Sequence, residues 1–334
     1  MDQGPSVDLP PTSPAQPHRP PRPRLPLVDV ARGVAIVAMV IYHFSWDLSF
    51  FGLVATDVAT APGWRLFAQM IAGSFLGLVG VGLVLAHGDG IRWRQFLRRL
   101  GVIVLAAAAV TLGSYVLFPE SFIFFGILHA IALTSLLGLA FVRLPSILTA
   151  AAAAIAFALP SIASSPEFNA PGLLWLGLAT RVPSTNDYIP LLPWFGCVLS
   201  GIVIARFFLR RPSLPGWLRQ EAPGAVGRSL VFAGRHSLAI YLLHQLVLLG
   251  LLWAFVQVAQ PARTTPFQRS CARACVDNGS DAATCSRYCS CASDAITRLD
   301  MWDKMNANSL QPQERQQLSG AFRQCRAGAE RPAP

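Results

Sequence analysis

Between residues 27 and 260 the chain alternates long apolar runs with short polar breaks, and at both ends it turns polar. A membrane-crossing helix needs roughly 20 mostly apolar residues. Seven runs meet or approach that length: 27–46, 64–87, 98–118, 121–142, 146–163, 188–209 and 236–258. Gly172–Thr180 is apolar but too short to cross, and reads as a re-entrant or interfacial piece. The Ala151–Ala154 run, and Gly73, Gly77, Gly80 and Gly82 in the second span, suit close helix packing, because small side chains let backbones approach. The pattern predicts an all-α fold: a polytopic transmembrane bundle of about seven spans with a small helical C-terminal module.

Composition agrees with a lipid-facing core. The 334 residues are 53% hydrophobic and 13% charged, against roughly 25% charged in soluble domains. The net charge of +10 resembles that of a nucleic-acid binder. However, Lys304 is the only lysine, and the arginines gather in short loops between apolar runs. Topology accounts for that distribution, so nucleic acid is not expected as a partner; the lipid bilayer is.

Residues 1–26 are proline-rich, with Arg19, Arg22 and Arg24 just before the first span. No cleavable signal pattern is present. The stretch has little apolar surface to bury and is expected to be a disordered cytoplasmic tail. Arg92, Arg94, Arg98 and Arg99 join spans two and three, Arg143 follows span four, and Arg206, Arg210, Arg211, Arg219, Arg228 and Arg235 join spans six and seven. All share one side, so the N-terminus is expected inside and the C-terminus outside. Arg65 and Arg181 are the exceptions.

Residues 261–334 hold six of the seven cysteines: Cys271, Cys275, Cys285, Cys289, Cys291 and Cys325. An even cluster of cysteines in an oxidising compartment points to disulfides. Cys271/Cys275 and Cys285/Cys289 each lie on one helix face. Two such helices back to back would pair Cys271 with Cys289 and Cys275 with Cys285, leaving Cys291 for Cys325. Six cysteines admit other pairings, so this one stays open. A zinc site is the rival, but the tail has no histidine and lacks short metal-loop spacing. Gln311–Arg326, with Pro312 and Glu314 in its first turn, reads as a helix. Cys197, in span six, reads as an unpaired core residue.

Ionisable groups inside a span are functional candidates, because burying them in lipid is costly. Span one carries Asp29, Arg32, His43 and Asp47. At about 100° per residue all four can share one stripe, with roughly 16 Å of rise between Arg32 and His43. A histidine poised near neutral pH can accept a proton from an attacking hydroxyl or amine, or carry an acyl group. Asp47 could orient that ring, and Arg32 could grip phosphate. A structural reading also stands: His43 belongs to an aromatic belt with Tyr42 and Trp46, and Asp29 pairs with Arg32 at the membrane edge.

The segment from Asp29 through Arg32-Gly33 to His43 resembles the first helix of membrane acyltransferases. Phe124–Leu133, Thr185–Gly196 and His236–Gln245 also resemble the bacterial branch of the heparan-alpha-glucosaminide N-acetyltransferase family. Acyltransferase family 3 is a more distant likeness. The resemblance covers about residues 25–250 and excludes the tail. With the polar ends and the apolar middle, the chain divides into a disordered cytoplasmic tail over 1–26, a transmembrane acyltransferase-like domain over 27–260, and an external cysteine-rich module over 261–334.

The resemblance implies an acetyl-CoA-dependent N- or O-acetyltransferase of the bacterial inner membrane. It would act on an envelope glycan or small-molecule acceptor outside, without a metal. His43 and Asp47 are the expected catalytic residues. Arg32, Asp29 and His129 are expected on the donor side, and Asn186, Asp187 and His244 on the acceptor side. Two other classes fit the pattern: a proton-coupled transporter, and a non-catalytic assembly or sensor protein that works through its cysteine module.

Overall fold

A computed structural model describes residues 25–54, 56–210, 224–259, 264–306 and 309–329. The tail expectation for residues 1–24 lies outside these. The helices are α1 Pro26–Phe50, α2 Pro62–His87, α3 Trp93–Leu117, α4 Ile127–Phe141, α5 Ser146–Ala163, α6 Leu191–Leu209, α7 Gly224–Arg235 and α8 Ser237–Ala259. Helices α9 Thr264–Asp277, α10 Ala282–Arg298, α11 Trp302–Asn306 and α12 Pro312–Ala329 follow. No strand occurs among the described residues. Among the described residues, six helices are long and apolar enough to cross a membrane: α1, α2, α3, α5, α6 and α8. The seventh apolar helix, α4, is shorter.

The expected 121–142 span is therefore cut short. Its 15 residues rise only about 22 Å. Pro119–Ser121 forms a 3-10 turn, and Phe122–Gly126 follows without helix. Phe125 forms an isolated parallel bridge with Tyr188, Ile189 N–H donates to Phe125 O at 3.1 Å, and Thr185 Oγ1 donates to Phe122 O at 2.8 Å. The Asp187 carboxylate then accepts the Ile127 N–H at 2.8 Å and starts α4. A Cβ on Gly126 would collide with that carboxylate. Protein groups thus satisfy this non-helical backbone between the helices. The apolar Gly172–Thr180 patch falls largely in a 3-10 helix, Pro171–Leu176, that ends at Gly177 with φ 86°.

Helices α2 and α6 form the centre. Leu76, Val198, Leu199 and Ile202 are fully buried between them. Gly80 faces the Val198 carbonyl and Gly201 faces the Gly77 backbone so closely that a Cβ at either would collide. This is small-residue packing of membrane helices. Arg206 on α6 is buried and donates to Phe141 O and Leu144 O, both at 2.6 Å. It thus caps the last carbonyl of α4 and the Leu144 carbonyl in the connection that follows. Around this centre, α5 packs on α6, α4 on α2 and α6, α3 on α4, and α1 on α2, α7 and α8. Helix α7 was not anticipated. It is amphipathic, and its Leu230 backbone abuts Gly33 while Gly234 abuts the Asp29 backbone.

The C-terminal module is a small helical unit with three disulfides, Cys271–Cys289, Cys275–Cys285 and Cys291–Cys325. These are the pairs expected for back-to-back helices, out of the several that six cysteines allow. Its core gathers Ile296, Met301 and Leu318 with Phe267, Trp302 and Phe322. The unit is tied to the α1–α2 loop: Arg269 donates to the Gly52 and Val54 carbonyls, and Arg273 pairs with Asp57 at 3.3 Å.

Candidate functional site

The stripe on α1 faces a single large cavity of about 1730 Å³. Asp29, Arg32, Ile36, Met39, His43 and Trp46 line it, a spacing of three and four residues that keeps one helix face inward. Helices α2, α3, α4, α7 and α8 and the loop before and start of α6 supply the other walls.

At one end, guanidinium groups converge. Asp29 pairs with Arg32 at 3.6 Å and with Arg235 at 3.3 Å. A Cβ on Gly82 would sit 3.3 Å from Arg32 Nη2 and 3.9 Å from Arg99 Nη1. Gly82 therefore leaves room for two arginines, rather than serving only helix packing. Arg98 also lines this end. By sequence Arg98, Arg99 and Arg235 read as loop charges. Helix α3 begins at Trp93, so Arg98 and Arg99 lie more than a turn inside it. One carboxylate against several guanidiniums leaves an excess of positive charge, with planar donors suited to phosphate.

At the other end, His43 meets His244 edge to face, with ring centroids 4.9 Å apart. His244 Nδ1 lies 2.7 Å from Tyr241 O, so that nitrogen carries the proton. His244 Nε2 is then a buried acceptor without a partner. A buried lone pair beside a second imidazole can receive a proton. Asn186, Asp187 and Tyr241 line the same region. Asp187 serves the fold as well, through its bond to Ile127. Burial pushes its carboxyl up to about 6, against the opposing effect of that backbone hydrogen bond.

Asp47 departs from the expected arrangement. It is fully buried and accepts a hydrogen bond from Gln245 Nε2 at 2.7 Å, while its second oxygen has no partner. It neither lines the cavity nor bonds His43. Trp46 continues the stripe, and the next residue turns toward α8. Gln245 stands directly after His244 in the sequence, but its pairing with Asp47 was not anticipated. His129 is also placed elsewhere. Its Nδ1 accepts the Gly126 N–H at 3.3 Å and its Nε2 lies 3.2 Å from Thr111 Oγ1. Thr111 donates to Ile123 O, so Nε2 carries the proton and the ring is satisfied. His129 borders a separate cavity of about 480 Å³, with Phe125 and Trp175.

The catalytic-domain model of heparan-alpha-glucosaminide N-acetyltransferase matches residues 24–246. The chain belongs to that family. The family match ends just past His244 and Gln245 and leaves out the cysteine module. No curated protein and no solved structure matches the chain. At the level of the heparan-alpha-glucosaminide N-acetyltransferase family, the chain is a membrane acetyltransferase. Among the described residues, no group of three His, Cys, Asp or Glu side chains converges to hold a metal ion.

Proposed function

We propose that the protein moves an acetyl group from cytoplasmic acetyl-CoA to an envelope glycan or small-molecule acceptor on the outer side of a bacterial inner membrane. One observation carries this reading: a single cavity reaches from the Arg32–Arg99 cluster to the His43–His244 pair. Arg32 and Arg99, steadied by Asp29, bind the donor's phosphates. His43 accepts the proton of the attacking amine or hydroxyl. The new C–N or C–O bond forms as the thioester C–S bond breaks, and the proton then passes to the leaving thiolate. His244 holds and relays that proton. Asp47 and Gln245 position the pair by locking α1 to α8. Asn186 and Asp187 contact the acceptor.

The same reading divides the chain into a transferase unit over 27–260 and an external module over 261–334. The start of α1 and the end of α7 share the inner side, in keeping with the Asp29–Arg235 pair. The module's grip on the loop after α1 supports an outer position for the cysteines, where disulfides persist.

The test is transfer of labelled acetyl from acetyl-CoA to envelope extract by purified protein, with His43→Ala as comparison. Transfer that is lost in the variant while folding stays intact is the expected result. Equal transfer by both would remove His43 from the mechanism. Absence of transfer with every acceptor, alongside proton-coupled uptake into liposomes, would overturn the transferase reading.

A further inference from the structure

The helices around the cavity form an incomplete ring. In order, α3 packs on α4, α4 on α2, α2 on α1, and α1 on α8. Between α8 and α3 the closure is partial. Ala106, Ala107 and Val110 of α3 share a cluster with Leu238, Tyr241 and Leu242 of α8. Farther along, Phe118 at the end of α3 meets Phe50 at the end of α1, with ring centroids 6.3 Å apart. Between that floor and that roof, Gly113 and Leu117 of α3 and Leu246 and Leu249 of α8 line the cavity from opposite sides. Leu117 and Leu246 are 59% and 61% exposed, so these side chains border both the cavity and the outside of the helix bundle. A Cβ on Gly113 would meet nothing within 4 Å.

We infer that this gap is a side window through which a lipid-anchored acceptor enters, with its aliphatic chain left in the bilayer. The inference rests on the transferase reading above and names its acceptor class. An acceptor that approached only from water would need no apolar opening beside His43 and His244. A polar head joined to a long chain matches the lining, which turns from imidazole and tyrosine to leucine within one helix, α8. The chain gains by staying in an apolar medium, and only the head enters the polar end.

The full-length protein in nanodiscs tests this with methyl and dodecyl glucosaminide, which share a head and differ in chain length. Labelled acetyl transfer is expected to favour the dodecyl compound by about tenfold or more in kcat/KM. Gly113→Phe and Leu246→Trp, which fill the window, should bring that ratio toward one. A ratio near one in wild type, or one unchanged in both variants, would overturn the window. A second readout does not need turnover. A photoreactive dodecyl glucosaminide should label peptides spanning 110–118 and 243–249, and unlabelled dodecyl but not methyl glucosaminide should compete. Labelling without acetyl transfer would keep the window and sink the transferase reading. Labelling spread evenly over the lipid-facing helices, or contact between two copies of the chain at these peptides, would sink the window.

Discussion

His43 on α1 and His244 on α8 lie edge to face, 4.9 Å between ring centroids, although 201 positions separate them in the chain. The unpartnered Nε2 of His244 gives the pair a free buried acceptor. The two rings are expected to act as one unit. His244→Ala should lower kcat about 100-fold or more, the size of an acid–base contribution. Adding His43→Ala should then cost little further, because groups in one relay are not additive. Steady-state rates of both single variants and the double variant check this.

The Asp47–Gln245 bond makes a different prediction, on stability. Gln245→Leu leaves a buried carboxylate without its donor and should destabilise the protein by about 1–3 kcal/mol. Asp47→Asn keeps an oxygen able to accept from Gln245 and should cost less. Thermal unfolding in detergent distinguishes the two. Equal losses would argue that the carboxylate charge matters more than the hydrogen bond.

Gly82 separates the donor end from the rest. Gly82→Val inserts side-chain atoms where Arg32 and Arg99 converge. The expected outcome is a KM for acetyl-CoA raised about tenfold with kcat nearly kept, the signature of lost uniform binding. A fall in kcat alone would point away from donor binding here.

Asp187 links stability to pH. Its carboxyl is raised from 3.8 to about 6 by burial. A raised folded-state value means that the protonated form is favoured in the fold. That contribution is complete below about 4 and is lost as pH rises through about 6. The melting temperature should therefore decline across this window, and Asp187→Asn should flatten the decline. Asparagine can still accept the Ile127 N–H, so the start of α4 should survive.

Arg206 tests the fold away from the site. Arg206→Ala removes donors to the Phe141 carbonyl at the end of α4 and to the Leu144 carbonyl just beyond it. A loss of about 2 kcal/mol or more is expected, as for buried acceptors left unmade. Chemical denaturation monitored by tryptophan fluorescence measures it. Unchanged stability would mean that water replaces the guanidinium.

The helical class and the places of the seven apolar helices were legible because apolar runs of membrane length have few alternative folds. The ends of those runs were less legible. Span four looked long enough to cross, yet the Asp187 carboxylate and the Phe125–Tyr188 bridge begin the helix at Ile127. Helix α7 escaped notice because its apolar face is narrow and it packs on α1 instead of crossing.

The sequence by itself determined the membrane-embedded helices and the inward stripe from Asp29 to His43, whereas the cysteine pairing was one of several it allowed. The helices and the stripe follow from helical periodicity within single segments. Only the tertiary structure decided that Asp47 turns to Gln245, that His129 is absorbed in the Gly126 turn, and that Arg99 joins Arg32 across Gly82. It alone also brought His244 to His43. The physical reason is that these contacts join helices far apart in the chain. Periodicity says which face of a helix turns inward, but packing decides which other face it meets.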